Sequence, residues 1–381
     1  MHSPVIQPER NLRPERIDVF FLLLVLLFCG LGFITLYSGS YGYAARIFGD
    51  PFYFVKRQAV NLLLGIVGMV FFTFLDLPLL RSLLPKIVLF TIALNLLPFV
   101  PGIGITKNGA TRWIGLGPMT FQPSELVKLV TVVFLANLFE KKSDRLDEPG
   151  VSIYPAAFMC AVFIFLVYLQ RNLSTALFVF FLAAVMFFIA NVGISWFVKF
   201  FLIVLPLFAL MILTEEYRIQ RILSFLYPEK DPLGASYQVN AALTALSEGG
   251  FWGKGLGNGV RKIAGIPEVQ SDFIFAVWGE EMGFLGVLFY FLLLTVFTLK
   301  AVSVSLKAGT RFACFLGLGC AFIIFFQSLM NCGVIVRFFP STGVPLPFFS
   351  SGGSSLLVTL SVCGFILNVS RKKADGGVSN V

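Results

Sequence analysis

The sequence has very little histidine and little charge. His2 is the one histidine in 381 residues, and it lies in a polar N-terminal stretch. Catalysis by a histidine base, and zinc or haem bound through histidine, are therefore excluded. The six cysteines form no CxxC pair and lie in or beside apolar segments, so they are predicted to be packing residues rather than disulfides or metal ligands.

Apolar residues dominate the composition. Hydrophobic residues make up 57% of the chain, charged residues 13%, and the mean hydropathy is +0.88. These values lie far outside the range of soluble proteins. Because a helix of about 20 apolar residues crosses a bilayer, the sequence predicts an all-α integral membrane protein with about ten transmembrane helices. The predicted spans are 17–38, 58–79, 83–101, 124–140, 153–170, 173–191, 195–214, 273–299, 312–334 and 353–370.

The basic residues predict the orientation. Ten spans place both termini on one side, and with the termini inside, the inner segments carry about twice as many Lys and Arg as the short outer loops. This predicts cytoplasmic tails at 1–16 and 371–381, one membrane domain at 17–370, and a large outer loop at about 215–272 between helices 7 and 8. The outer loops are still unusually basic, which an anionic substrate at the outer leaflet would explain.

The segment 270–283, QSDFIFAVWGEEMG, places Asp272 where a long polar loop meets the apolar stretch Phe273–Leu299. An ionised group at the mouth of a membrane helix is costly to keep, so Asp272 is a functional candidate. A carboxylate that caps the helix N-terminus is the alternative. The segment alone leaves both open.

The segment 108–128, NGATRWIGLGPMTFQPSELVK, carries a second set of charges. Glu125 and Lys128 are three residues apart, so on a helix they share a face and can pair. The pair could be structural, or with Arg112 it could form a charged wall for a substrate headgroup.

Three further segments are predicted to lie at the outer side. Residues 217–238 resemble an amphipathic helix with Arg218 and Arg221 near lipid phosphates, or a peripheral anchor of the loop. The glycines of 249–259, GGFWGKGLGNG, fit no nucleotide-binding pattern and predict tight turns with close backbone packing. Residues 331–355 predict either a rigid re-entrant loop that ends in hydroxyl and backbone donors, or a stiff connector.

Together the motifs FIFAVWGEE after an acid, GATRW…QPSE..K and PSTGVPLPFFSSGGSS resemble the SEDS family (shape, elongation, division and sporulation), in order and over nearly the whole chain. DPFYFVKRQ, YRIQRILSF and GLGNGVRK are more similar to the division branch than to the elongation branch. The resemblance implies a peptidoglycan glycosyltransferase of the cytoplasmic (inner) membrane that polymerises lipid II and releases undecaprenyl diphosphate. It implies no nucleic acid partner.

The resemblance also implies roles for individual residues. Asp272 matches the family's essential acid, and with no usable histidine a carboxylate is the available base. The expected binders of substrate are Arg57, Arg112, Glu125, Lys128, Arg221 and Gln238. No cofactor is certain; a divalent cation (Mg²⁺ or Mn²⁺) could share the neutralisation of the diphosphate, although no dense carboxylate cluster demands one.

The expected partners are a class B penicillin-binding protein transpeptidase and other division proteins. Small residues at Gly283, Gly286, Gly317 and Gly319 could let a partner helix approach, although packing within the chain's own bundle explains them equally well. Asn172 stands where the family usually has Asp, and Ser351 where it usually has Tyr. An elongation-type polymerase, a lipid II flippase and a non-catalytic scaffold are the alternative functions.

Overall fold

The computed structural model describes residues 16–107, 109–117, 119–145, 148–229, 236–259 and 269–371. The predicted tails lie almost entirely outside these ranges. In the described part we number the helices α1 to α12. They are α1 (Val19–Phe48), α2 (Tyr53–Phe74), α3 (Leu77–Leu96), α4 (Pro123–Lys141), α5 (Tyr154–Leu169), α6 (Leu173–Ile189), α7 (Ile194–Leu213), α8 (Glu216–Leu226), α9 (Tyr237–Gly249), α10 (Ile274–Leu306), α11 (Arg311–Ile335) and α12 (Gly353–Arg371).

The prediction of a multi-pass membrane protein is confirmed. Across the described ranges, seven helical stretches are long and apolar enough to cross a bilayer: Val19–Phe48, Tyr53–Phe74, Leu77–Phe99, Pro149–Leu169, Ile274–Leu306, Arg311–Ile335 and Gly353–Arg371. Helix α6 is also apolar but shorter, at 17 residues. Several helices have other bounds than the predicted spans. Helix α1, for example, continues to Phe48, ten residues beyond the predicted end at residue 38.

Both ends of the described chain lie at the same end of the bundle. The backbone amide of Asp18 donates to Ser370 Oγ at 3.1 Å, which joins the start of α1 to the last turn of α12. Lys300 also pairs with Asp18 at 2.8 Å. We call this the tail end. The opposite loop end carries the β-strands, α8, α9 and residues 336–352.

Helix α12 lies at the centre of the bundle, with 89% of its most apolar stretch buried. A Cβ added at Gly364 would lie 2.5 Å from the Met69 carbonyl oxygen, and one at Gly65 would lie 2.4 Å from Leu360. Glycines at these positions therefore let α2 and α12 pack backbone against side chain. This close packing holds α2 in a fixed rotation against α12.

The all-α prediction is wrong at one place, since a small antiparallel sheet lies between α3 and α4. Strands β1 (Gly104–Lys107), β2 (Ala110–Leu116) and β3 (Met119–Phe121) pair in sequence order. Gly109 and Gly117 supply the positive φ, 72° and 61°, that the two tight turns require. The sheet places Arg112 at the loop end.

Helix α10 is interrupted at Gly283, whose φ of 63° is not helical. The glycine-rich segment 249–259 fills the break: the amides of Lys254 and Gly255 donate to the carbonyls of Glu280 and Glu281 at 3.1 and 2.9 Å. A Cβ at Gly253 would lie 2.2 Å from the Glu281 carbonyl oxygen, so only glycine fits. The prediction of close backbone packing here is confirmed.

The glycines suggested as a partner surface pack inside the chain, so that suggestion is wrong. A Cβ at Gly317 would lie 2.2 Å from Ser305 Oγ, and one at Gly319 would lie 2.5 Å from Val132. At Gly283 the nearest atom would be the backbone nitrogen of Gly253, and at Gly286 the Met282 side chain. The chain's own helices and loop already occupy this space.

Candidate active site

A polar cavity of about 860 Å³ opens at the loop end. Its wall is built from the starts of α2 and α4, strand β2, the α5–α6 turn, α8 and the segments 271–272 and 342–355. The charged residues that line it are Arg57, Arg112, Glu125, Arg171, Glu215, Arg221 and Asp272. Five of the seven predicted site residues are therefore brought together, although they come from distant parts of the chain.

Asp272 is half-buried in the cavity wall. Its carboxylate accepts from Ser271 Oγ at 3.1 Å, and a Cβ at Gly343 would lie 3.4 Å from Asp272 Oδ2. Helix α10 begins at Ile274, and Phe273 is its N-cap. Asp272 is therefore one residue before the N-cap of α10.

The backbone around Asp272 is held at three successive carbonyls. Those of Gln270, Ser271 and Asp272 accept from Ser351 N at 2.8 Å, Ser350 Oγ at 2.5 Å and Asn331 Nδ2 at 2.8 Å. The donors come from α11 and the segment that leads into α12. The 331–355 motif therefore re-enters the protein and presents hydroxyl and backbone donors, rather than serving only as a connector.

Arginines from four parts of the chain line the same cavity as Asp272. Arg57 Nη1 donates to Tyr53 OH at 3.0 Å, and Arg221 Nη1 donates to the Ser341 carbonyl at 3.0 Å. Arg112 Nη2 donates to the Arg171 carbonyl at 2.7 Å. Because arginine has five N–H donors in a planar fork, side chains of this type are suited to bind an anionic ligand.

Arg112 lies close to other cations in this part of the protein. Burial lowers the pKa of the Arg112 guanidinium below its usual value; the neighbouring Tyr217 opposes this, whereas Arg221 and Arg218 lower the pKa further. A bound anion would relieve the repulsion among these cations. This wall therefore suits a diphosphate.

Glu125 and Lys128 form the predicted ion pair, with Nζ and Oε2 2.8 Å apart and both side chains at most 5% exposed. Lys128 also donates to Gln327 Oε1 at 2.7 Å. Glu125 lines the cavity, whereas Lys128 lies behind it and does not. The pair is structural in its contacts, and Glu125 presents it to the cavity.

The structure does not bring Gln238 to the cavity. Helix α9 carries it, and that helix buries Ala242, Ala245 and Gly249 as it packs beside α10. Pattern alone could not show this, because the packed face of a short helix depends on its neighbours.

Asn172 is a capping residue. Its Oδ1 accepts from the Thr175 amide at 3.3 Å at the start of α6, and its Nδ2 donates to Ser124 Oγ at 3.2 Å. Ser351 lines the cavity, and its side chain leaves more space there than a tyrosine would. These contacts locate both departures from the family pattern.

Sequence reasoning missed Arg171. It lines the cavity from the α5–α6 turn, where its φ is 57°, and its guanidinium lies 3.5 Å from the Glu215 carboxylate. A non-glycine residue with positive φ is uncommon and is found most often at turns and functional sites. The sequence shows a basic residue here, but it does not predict that this residue lies in the cavity wall.

The described residues include no group of three or more His, Cys, Asp or Glu that could hold a metal. Of the cavity carboxylates, Glu125 is paired with Lys128 and Glu215 with Arg171. These residues therefore do not fit a resident divalent cation bound by protein carboxylates alone.

The comparisons with known proteins show the family of the chain. The family model of FtsW, RodA and SpoVE, described as a cell cycle protein, matches residues 18–375. The chain is 36% identical over 360 residues to the probable peptidoglycan glycosyltransferase FtsW of Geobacter sp. strain M18, and the match covers 94% of this chain and 98% of that protein.

Two solved structures are also similar. One, from work on the structural coordination of polymerization and crosslinking by a peptidoglycan synthase complex, has a TM-score of 0.75 at 30% identity and covers 94% of this chain and 99% of its own. The other is RodA of Thermus thermophilus, with a TM-score of 0.68 at 28% identity, covering 93% of this chain and 97% of its own. The protein belongs to the FtsW/RodA/SpoVE family, which confirms the resemblance found in the sequence.

Proposed function

We propose that this protein is a peptidoglycan glycosyltransferase that polymerises lipid II, and that Asp272 is its general base. The observation that carries the proposal is the cavity, whose wall contains both Asp272 and four arginines. In the reaction, the acceptor sugar's 4-hydroxyl attacks C1 of the donor sugar and the bond from C1 to the diphosphate breaks. Asp272 takes the hydroxyl proton, and undecaprenyl diphosphate leaves.

Arg57, Arg112, Arg171 and Arg221 are the proposed diphosphate binders. Negative charge develops on the departing diphosphate, and fixed guanidiniums stabilise it most where they are already oriented. Arg112 and Arg221 meet this condition, because each is fixed to a backbone carbonyl. A divalent cation shared with the substrate remains a separate proposal, on which no step here depends.

The proposed topology has ten membrane helices, α1 to α7 and α10 to α12, with the loop end outside and both termini in the cytoplasm. The Asp18–Ser370 contact supports termini on one side. The excess of basic residues at the tail end supports a cytoplasmic tail end. The cavity then opens at the outer face of the inner membrane, where the sugar and peptide of lipid II would be presented.

We propose a role in septal wall synthesis together with a transpeptidase. The name FtsW of the Geobacter relative supports the division role. The likeness to a chain from a synthase complex that coordinates polymerization and crosslinking supports a crosslinking partner. Depletion in the source organism tests the role: filaments would support division, whereas rounded cells would support elongation.

A flippase is the second candidate, and the positions of the intramembrane charges count against it. Such a protein needs a polar path through the bilayer, for which Glu125, Lys128, Glu280 and Glu281 were the available charges. Glu281 instead accepts from Ser38 at 2.6 Å, and Glu280 pairs with Lys254 at 2.8 Å. These two carboxylates fasten α1 and the 249–259 segment to α10.

Purified protein in vesicles with labelled lipid II separates the candidates. Glycan product that disappears with Asp272→Asn supports the proposal. Translocation without product would indicate a flippase, and neither activity, with or without the transpeptidase, would indicate a scaffold. Arg145→Ala is a suitable control, because Arg145 is exposed and pairs locally with Glu148.

A further inference from the structure

The peptide segment that carries Asp272 is held by side chains that do not line the cavity. Asn331 is 2% exposed and Ser350 is 4% exposed, and neither belongs to the cavity wall. Their donors reach the carbonyls of Asp272 and Ser271. Either residue would therefore affect the reaction through the position of the segments that it holds, and not through contact with a substrate.

Asn331 uses both hydrogens of its amide as a brace. Nδ2 donates to the carbonyls of Asp272 and Val344, each at 2.8 Å. One side chain thus ties the residue before the N-cap of α10 to the segment in which Gly343 faces the Asp272 carboxylate. Loss of the amide would leave two buried carbonyls without this donor, and the Asp272 and Val344 segments would no longer be held together.

Ser350 is a second brace from the other side. Its Oγ accepts from the Leu346 amide at 2.7 Å and donates to the Ser271 carbonyl at 2.5 Å. Its own carbonyl accepts from Gln58 Nε2 at 3.2 Å. Because Gln58 is the neighbour of Arg57 on α2, this chain of bonds connects the base to one of the proposed diphosphate binders.

We infer that Asn331 and Ser350 are positioning residues that hold the Asp272 carboxylate at its working place in the cavity. The inference rests on the proposed function, in which Asp272 is the base. A misplacement of about 1 Å in a reacting group can lower a rate by about 100-fold. The two residues therefore set kcat rather than the binding of substrate.

The chain offers a matched control for Asn331. Asn368 is also buried, at 4% exposure, and its Nδ2 likewise donates to two backbone carbonyls, those of Phe72 and Leu75 at 2.8 and 2.6 Å. It lies in α12 near the tail end, far along the chain from Asp272. Asn331→Ala and Asn368→Ala thus remove the same chemistry from two places.

The experiment measures polymerisation and binding of labelled lipid II by the full-length protein, reconstituted with its transpeptidase, together with the melting temperature. Asn331→Ala is expected to lower kcat by about 10- to 100-fold with the lipid II affinity unchanged. Asn368→Ala is expected to lower the melting temperature to a similar extent while kcat per folded molecule stays at the wild-type value.

Ser350 gives a second pair of variants with smaller changes, in case Asn331→Ala does not fold. Ser350→Ala is expected to lower kcat, and Ser350→Thr, which keeps the hydroxyl, to restore most of it. In an Asp272→Asn background, Ser350→Ala is expected to cause no further loss, since both changes act on one group.

Two outcomes would overturn the inference: Asn331→Ala and Ser350→Ala that keep wild-type kcat, or a loss of kcat in Asn368→Ala as large as that in Asn331→Ala. Wild-type activity in Asp272→Asn is a different result, and it would overturn the proposed function itself.

Discussion

Lys128 Nζ lies 2.8 Å from Glu125 Oε2, with both side chains nearly without solvent contact. Gln327 supports the lysine from α11 at 2.7 Å and also donates to the Pro345 carbonyl at 2.9 Å. The buried ion pair is thus connected to the segment that braces Asp272. We expect the loss of this ion pair to lower the stability of the fold before it affects the reaction.

Glu125→Gln is expected to destabilise the protein by about 3 kcal/mol, because it leaves the Lys128 ammonium buried beside a neutral amide. Thermal unfolding in detergent measures the effect, and the control is Glu148→Gln at an exposed pair, which should leave the melting temperature unchanged. If Glu125→Gln melts like wild type but has lost activity, the pair is a substrate contact and not a structural one.

Arg112→Ala is expected to weaken lipid II use by about 10- to 100-fold, which corresponds to the loss of one or two charge-assisted hydrogen bonds. The melting temperature should stay close to wild type, since the Arg112 side chain lies in the cavity wall and is only partly buried. Titration of labelled lipid II gives the affinity. An unstable Arg112→Ala protein that is fully active per folded molecule would contradict the binding role.

Arg171→Gln is expected to lower kcat/KM by about tenfold, because it removes a guanidinium that would bind the diphosphate. Glu215→Gln is expected to keep kcat/KM or raise it, because Arg171 then loses its carboxylate partner at 3.5 Å and can turn to the diphosphate. The comparison between these two partners is the test. A loss of equal size in both variants would show that the ion pair acts as a structural link across the cavity mouth.

Lys254 ties the 249–259 segment to α9 and α10. Hydrogen bonds from its ammonium to Glu248 and Glu280 raise its pKa above the usual 10.5. Since a raised lysine pKa stabilises the folded state fully below the unfolded pKa, the contribution should be constant at neutral pH and be lost only as pH rises beyond about 10.5. Limited proteolysis of the wild-type protein and of Lys254→Met, compared at each pH, checks this: the protection that Lys254 gives should be constant at neutral pH and disappear above about 10.5.

The sequence predicted the charged residues of the cavity wall better than the residues that support them. Four of the cavity residues carry charge next to apolar spans: Asp272, Arg112, Glu125 and Arg221. Because a charge near the membrane costs free energy, such residues can be recognised in a sequence as functional candidates. Asn331 and Ser350 are ordinary polar residues whose role depends on contacts 59 and 79 residues away in the chain. Residue type and spacing hold no sign of such contacts.

Local backbone features escaped prediction for a related reason. The break in α10 and the turn at Arg171 are positive-φ positions that exist because packed neighbours hold them. The sheet at Gly104–Phe121 has strands of three to seven residues, too short for a periodic signal to stand out. Gln238 was predicted from its resemblance to a family position, and the structure places it on a helix beside the cavity rather than in its wall.

The most direct test of the account is the polymerisation rate of Asp272→Asn with purified lipid II. The change keeps the size and most hydrogen bonding of the side chain but removes its basicity, so folding and membrane insertion should be preserved. If Asp272 is the general base, the rate should fall by about 10²- to 10⁴-fold with the affinity for lipid II retained. A rate near that of the wild-type protein would contradict it.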